Sequence, residues 1–330
     1  LHGSSAASDV YKRQTIAKEK SGPTMRRVVH VGPTTAPGGM ASVIQLLSAN
    51  PPEGWRASTC NTFSDRGLMS KLNRWRIAKK EIKNGSFDLV HIHCAAGWSY
   101  KRKLSIAKVA NAPVIFHIHS GKFDIDAKSS LSKFQVVCLS ESWSKNLKPL
   151  VGDSISVQNP IKLREVSGNK RENFTLLMGR DDPVKGHDFA YSLGLDDLRV
   201  TGVETAPEGV TALGWVSEEM KWELLSTAGC LIVPSKFEGQ PMVILEALSV
   251  GCPVIASSNI PDLPDCVISV QNDEKDAWLK AISNPITDGL IDSVKNHDIE
   301  IVKDKWREIY DSIIDSVSYT HLTLPTIREV

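Results

Sequence analysis

From residue 27 onward the chain alternates short apolar runs with amphipathic stretches. The runs RVVHVG (27–32), LVHIH (89–93), PVIFHIH (113–119), VVCLS (136–140) and SISVQ (154–158) are rich in Val and Ile. Turn residues bound several of them, and such runs predict strands buried on both faces, as in a parallel sheet. Helical patterns lie between them, at 39–49, 70–84, 99–110 and 141–149. The polar stretch QNPIKLREVSGNKREN (158–173) then reads as a linker. The alternation restarts, with strands predicted at 174–179, 198–202, 210–215, 230–235, 253–257 and 266–270. Helices are predicted at 217–228, 240–250 and 275–283. A last one, near 298–314, carries Val302, Trp306, Ile309, Tyr310 and Ile313 on one face. Strand–helix alternation in two blocks predicts an α/β protein of two Rossmann-like, doubly wound domains facing each other across a cleft.

The two ends change the picture of what belongs to the domains. Residues 4–14, SSAASDVYKRQ, and 316–326, SVSYTHLTLPT, resemble translations of the two strands of one sequencing-library transposon adaptor. On that resemblance, 1–24 and 316–330 are set aside as tails, with Met25 as the expected start. An N-terminal, acceptor-side domain is expected at 25–160 and a C-terminal, donor domain at 161–315, whose last helix can pack back on the first. No run reaches the ~18 apolar residues of a membrane span, and RRVVHVGPTTAPGG after Met25 is not a signal peptide. None of the six cysteines forms a Cys-x-x-Cys pair, which favours a reducing cytoplasm. The overall charge of +1 hides +11 over 25–160 and −11 over 161–314, as expected of two halves with different partners.

The segment VPSKFEGQPMVILEALSVGCPVIAS (233–257) reads strand, loop, helix, Gly turn, strand. Pro241 suits the first helical turn, where its missing N–H would have no partner. The amides of Met242, Val243 and Ile244 then lie at a positive helix end, a ready phosphate site. Glu238 lies in the loop and Glu246 inside the helix. A carboxylate accepts from two vicinal hydroxyls at once, which suits a ribose or a hexose; a solvated loop Glu and a surface salt bridge are the plainer alternatives. In LLMGRDDPVKGHDFA (176–190) a strand ends at Gly179, and Arg180 and Lys185 follow in a loop. Strand ends of an open α/β sheet face its ligand crevice. Two cations there would neutralise a diphosphate and stabilise its charge as it leaves; otherwise they are solvated surface charges. Gly38-Gly39, after the first strand, permits close approach of a ligand or simply makes a turn.

Together these segments resemble the donor half of the retaining GT-B glycosyltransferases of family four, the glycosyl transferases group 1. The shared pattern is Gly179-Arg180, Lys185-Gly186, Glu238-Gly239-Gln240-Pro241 and Leu245-Glu246-Ala247, in that order. The resemblance implies that Arg180 and Lys185 hold the donor diphosphate, Glu238 the transferred sugar and Glu246 the ribose. It places Gly239, Pro241, Met242 and Val243 in the donor loop, and Gly38-Gly39 against donor phosphate or acceptor. It also makes His119, at the end of PVIFHIHSG, the active-site histidine. The implied substrate is a nucleotide diphosphate-sugar and the acceptor a glycan or lipid-linked glycan, in bacterial surface polysaccharide or glycolipid synthesis. The departing phosphate would take the acceptor's proton, with no metal or other cofactor. Three features depart from the family: Asn159-Pro160 replaces Asn-Gly, SNIPDLPD (258–265) replaces a Gly-Gly-rich loop, and 201–216 is too short for its usual helix. A nucleotide-sugar 2-epimerase and an inactive nucleotide-sugar-binding subunit are the competing readings. A dehydrogenase is disfavoured because no Gly-x-Gly-x-x-Gly follows a strand.

Two further patterns call for a structure. His91/His93 and His117/His119 share strand faces and could chelate a metal, but no third ligand is visible, so satisfied strand histidines are expected. Asp124-Ile-Asp126 spells a metal-site Asp-x-Asp without the matching surroundings. KLNRWRIAKKEIK (71–83) carries Lys71, Arg74, Arg76, Lys79, Lys80 and Lys83, and Lys101-Arg102-Lys103 follows nearby. Leu72, Trp75, Ala78 and Ile82 form a stripe that either lies in an anionic bilayer interface or packs on the sheet. The opposite charge of the two halves favours the bilayer. No nucleic-acid partner is expected.

Overall fold

A computed structural model describes residues 25–120, 123, 125–164 and 170–322, with side chains as far as 316. The adaptor-like segment at 4–14 and the Asp124 of the Asp-x-Asp string lie outside the described residues. The first half contributes strands β1 (Arg26–Gly32), β2 (Trp55–Asn61), β3 (Leu89–Cys94), β4 (Val114–Ile118), β5 (Gln135–Cys138) and β6 (Ile155–Ser156). The second contributes β7 (Thr175–Met178), β8 (Leu198–Thr201), β9 (Val210–Ala212), β10 (Cys230–Val233), β11 (Val254–Ser257) and β12 (Ile268–Val270). They form two sheets, ordered β2-β1-β3-β4-β5-β6 and β12-β11-β10-β7-β8-β9. Every strand pair is parallel. In each sheet the order reverses beside the first strand of the half, and the ligand crevice of a doubly wound sheet opens at that switch point.

The helices of the first half are α1 (Gly39–Ala49), α2 (Gly67–Asn84), α3 (Trp98–Ala107), α4 (Lys128–Leu131) and α5 (Glu141–Val151). Those of the second are α6 (His187–Tyr191), α7 (Glu218–Thr227), α8 (Met242–Ser249), α9 (Lys275–Ser283) and α10 (Ile299–Leu322). Their starts follow local chemistry. Ser140 caps α5 by accepting from the Trp143 amide at 3.1 Å. Ser217 does the same for α7 from Met220, with Glu218 and Glu219 in the positive first turn. Helix α10 runs eight residues beyond the predicted end near 314, into the adaptor-like segment.

Central strands bury every side chain, as in β3 and β4, which is why they read as apolar runs broken only by buried histidines. The unpredicted β2 is an edge strand, WRASTCN, whose buried anchors are Trp55 and Cys60. One apolar cluster joins Val28, Trp55 and Leu89 of the first half to Leu231 and Ile244 of the second, through Trp306 and Tyr310 of α10. Helix α10 thus crosses back to the first sheet. Its Asp311 accepts from Arg26 at 2.7 Å and from the Trp55 indole at 3.1 Å, and Tyr310 meets His91 at 2.7 Å.

Candidate active site

Between the halves lies a cleft of about 660 Å³, within the size range of small-molecule sites. Its walls include all eleven of the residues predicted to be catalytic or to bind donor: Gly38, Gly39, His119, Arg180, Lys185, Glu238, Gly239, Pro241, Met242, Val243 and Glu246. The loop after β7 reaches the cleft because two glycines allow it. Gly186, at φ +76°, packs so that a Cβ would stand 2.3 Å from the Pro234 carbonyl oxygen. Gly202, at φ +78°, lies equally close to the Gly179 carbonyl oxygen. An L-residue is strained at such φ values even before those clashes. Gly39 approaches Met242 across the cleft, with 3.0 Å from its would-be Cβ to Met242 Cγ.

The charges in the cleft are paired. Lys185 Nζ donates to Glu238 Oε1, which also accepts from Ser235 Oγ at 3.1 Å. Arg180 turns to Asp182, donating from Nη2 at 2.8 Å and from Nε at 3.1 Å. The Val184 amide, and then Arg180, hold the Asp182 carboxyl below its usual range. Glu246 Oε1 accepts from Lys221 Nζ at 2.8 Å. Burial raises the Glu246 pKa and the Lys221 charge opposes that rise. Helix α8 starts two residues later than predicted, at Met242, with Pro241 as its N-cap. The Ile244 amide is not a free donor, because it donates to the Pro241 carbonyl at 3.2 Å; Met242 and Val243 supply the helix end that lines the cleft.

Several residues that hold or line the cleft lie outside the motifs of the sequence. Asn159, noted only as a departure from the family pattern, latches the loop at 238–241. Its amide donates to Gln240 Oε1 at 2.7 Å and its side chain to the Gln240 carbonyl at 3.1 Å. Trp143 of α5 donates to the Gly239 carbonyl at 3.2 Å. Trp215, Glu218 and Lys221 complete the wall beside Glu246. No local motif marks Asn159, Trp143 or Lys221, because their partners Gln240, Gly239 and Glu246 lie far away along the chain.

The histidines form one array on neighbouring strands. His30 Nδ1 meets His93 Nε2 at 3.0 Å, His93 Nδ1 meets His119 Nε2 at 2.9 Å, and His91 Nε2 meets His117 Nδ1 at 3.3 Å. The sequence reading saw no third ligand for either His pair. The fold supplies one, since His30/His91/His93 and His93/His117/His119 each bring three ring nitrogens within 4.8 Å. Among these rings, nitrogens engage one another as hydrogen-bond partners. Burial drops the His119 pKa to about 3, with the nearby Lys103 charge adding to the effect. His119 is therefore neutral at physiological pH and presents the cleft with a hydrogen-bonding ring, not a cation.

The proposed membrane stripe needs correction. Ala78 and Ile82 are buried in the first half's outer core, and Trp75 packs against it while donating to Ser105 at 2.9 Å. Lys103 is also buried, at 4% exposure. A stripe facing a sheet and one facing a bilayer share the same spacing, so periodicity did not separate them. The outward face is basic, with Lys71, Arg76, Lys80, Lys83 and Lys101 exposed and Arg74, Lys79 and Arg102 half-buried. Beside them, at the starts of α2 and α3, Leu68, Met69 and Trp98 are 72, 77 and 78% exposed.

Residues 175–288 match the family of glycosyl transferases group 1. The chain is a GT-B glycosyltransferase. An uncharacterized 41.2 kDa protein of the Klebsiella pneumoniae cps region is 24% identical over 298 residues, spanning 73% of this chain and 83% of that one. O-antigen chain mannosyltransferase B of Escherichia coli is 36% identical over 98 residues, 29% of this chain and 22% of that one. Among solved structures, sucrose-phosphate synthase of Thermosynechococcus elongatus superposes with a TM-score of 0.67 at 15% identity, covering 88% of this chain and all of that one. Anabaena HepE, solved with UDP and glucose, gives 0.56 at 13% identity, covering 90% of this chain and 99% of that one. The GT-B glycosyltransferase therefore carries its group 1 match on the half that holds Arg180, Lys185, Glu238 and Glu246.

Proposed function

We propose that this glycosyltransferase moves a sugar, with retention of configuration, from a nucleotide diphosphate-sugar to a glycan or lipid-linked acceptor of a bacterial surface polysaccharide. One observation carries the reading: Arg180, Lys185, Glu238 and Glu246 converge on one cleft between the two halves. The names of the mannosyltransferase and cps-region relatives and the UDP-bound neighbour support it. Donor binding would trade the Arg180–Asp182 and Lys185–Glu238 pairs for phosphate contacts. Arg180 is 57% exposed, so its pair is weak and cheap to exchange. Freed from Lys185, Glu238 would accept from sugar hydroxyls, and His119 would position the sugar without taking a proton. The leaving phosphate, held by both cations, would accept the acceptor's proton. The reading calls for no metal.

Retention is tested by NMR of the product formed from a panel of UDP-, GDP- and dTDP-sugars with membrane lipid extract as acceptor. The expected product keeps the donor's anomeric configuration. An inverted product would refute retention, and an epimerised free nucleotide sugar would favour the epimerase reading.

We also propose peripheral attachment to an anionic membrane, through the exposed cations of α2 and α3 around Leu68, Met69 and Trp98. Each basic residue near such a surface contributes about 1 kcal/mol, and interfacial Trp adds apolar anchoring. Co-sedimentation is expected with anionic but not neutral vesicles and should weaken as salt rises. Charge reversal at Lys71, Lys80 and Lys83 should abolish it. Equal recovery on both vesicle types, or none, would refute the attachment.

A further inference from the structure

Glu246 sits at the floor of the cleft with a partner that no motif announced. Lys221, one turn into α7, reaches across to Glu246 Oε1 at 2.8 Å and also meets Glu218 at 2.9 Å. The Lys221 and Glu246 side chains are only 16% and 11% exposed, whereas Glu218 is 70% exposed. A second cation, Arg164, stacks over the Trp222 ring at 4.2 Å, and Lys221 lies 4.9 Å from the same ring. The charged groups that bear on Glu246 are thus Lys221 and Glu218 from α7 and Arg164 from the segment after β6.

A carboxylate this buried loses most of its hydration and favours the neutral acid unless a cation compensates. The neutral acid is a poor partner for a vicinal diol. It keeps one good acceptor and gains a donor, whereas the carboxylate offers four lone-pair positions. Lys221 occupies Oε1 and leaves Oε2, with the remaining lone pair of Oε1, for a ligand in the cleft. We propose that Lys221 is a positioning residue that keeps Glu246 ionised and aimed, so that it can accept from both ribose hydroxyls of a nucleoside diphosphate. The inference rests on the donor-site reading above and adds a residue to it. Lys221 itself need not touch the nucleotide.

The test is calorimetric. UDP, GDP, ADP, CDP and dTDP are titrated into the wild-type enzyme, and the best binder among the four ribonucleotides, which carry the vicinal diol that dTDP lacks, is carried forward at pH 6, 7, 8 and 9. The quantity read is the ratio of Kd in Lys221→Met to Kd in wild type, which cancels titration of the diphosphate itself. Without Lys221, Glu246 is protonated at low pH and ionises as pH rises, so the ratio should be largest at pH 6 and shrink towards pH 9. A loss of about tenfold or more at pH 6 is expected from weakened hydrogen bonds to a charged acceptor. Lys221→Arg should restore the flat profile, because it keeps the charge. In the Glu246→Gln background, Lys221→Met should add no pH dependence. Lys221→Gln serves as a second neutral variant if Lys221→Met does not fold. A ratio that is constant with pH would overturn the proposal and make Lys221 a direct ligand or a packing residue. A ratio near one throughout would overturn it as well. Failure of every nucleoside diphosphate to bind the wild-type enzyme is a separate outcome, which would remove the donor-site reading itself.

Discussion

Replacing Lys185 or Arg180 by alanine is expected to lower turnover by about 10²–10³-fold, the usual cost of removing one preorganised donor to a developing negative charge. Both residues follow the end of β7 and line the cleft. The larger loss is expected at Lys185. Its side chain is the less exposed of the two, at 25% against 57%, and a cation in a drier site acts more strongly on a leaving phosphate. Lys185→Ala also leaves Glu238 without its cation, so donor affinity should change along with rate. Arg180→Ala frees only Asp182, a partner within its own loop. Steady-state kinetics with the preferred donor gives the rates, and thermal unfolding checks the fold. Wild-type-like turnover in both variants would remove these residues from the donor site.

Trp306→Ala is expected to cost about 3–5 kcal/mol of stability, the range for truncating a buried large aromatic. Trp306 is fully buried. Its ring lies 4.4 Å from that of His91 and 5.0 Å from that of His117 on the first sheet, while its own helix follows the second sheet in the chain. The substitution therefore opens a cavity where α10 closes the first half's inner face. It should also loosen the array ending at His119. Urea unfolding reads the loss, and a change below about 1 kcal/mol would mean that α10 does not hold the halves together.

The two predictions rest on different degrees of legibility. A strand such as β10, CLIV, was readable because burial on both faces leaves an unbroken apolar run, and in β3 and β4 only buried histidines interrupt that run. The edge strand β2 was not, since WRASTCN alternates solvent-facing polar residues with few anchors. The short helices α4 and α6, of four and five residues, carry too few turns to show a period. In the cleft, the Lys185-Gly186 and Glu238-Gly239-Gln240-Pro241 segments stood out because turn, loop and helix start fall within a few residues of one another. The pairing of Lys221 with Glu246 joins residues 25 positions apart on two helices, and that of Asn159 with Gln240 spans 81. Such contacts exist only once the fold has formed. The stripe on α2 was legible as a stripe, but its partner was not.

Binding of a donor's diphosphate by Arg180 and Lys185 in the cleft is the step on which the proposed function depends. Its most direct test is calorimetric titration of the five nucleoside diphosphates, and of the matching monophosphates, into wild-type enzyme and the Arg180→Ala/Lys185→Ala double variant. Wild type is expected to bind at least one diphosphate more tightly than its monophosphate, and the double variant to lose this preference while remaining folded. Equal binding of mono- and diphosphate by wild type, or an undiminished diphosphate preference in the double variant, would contradict it.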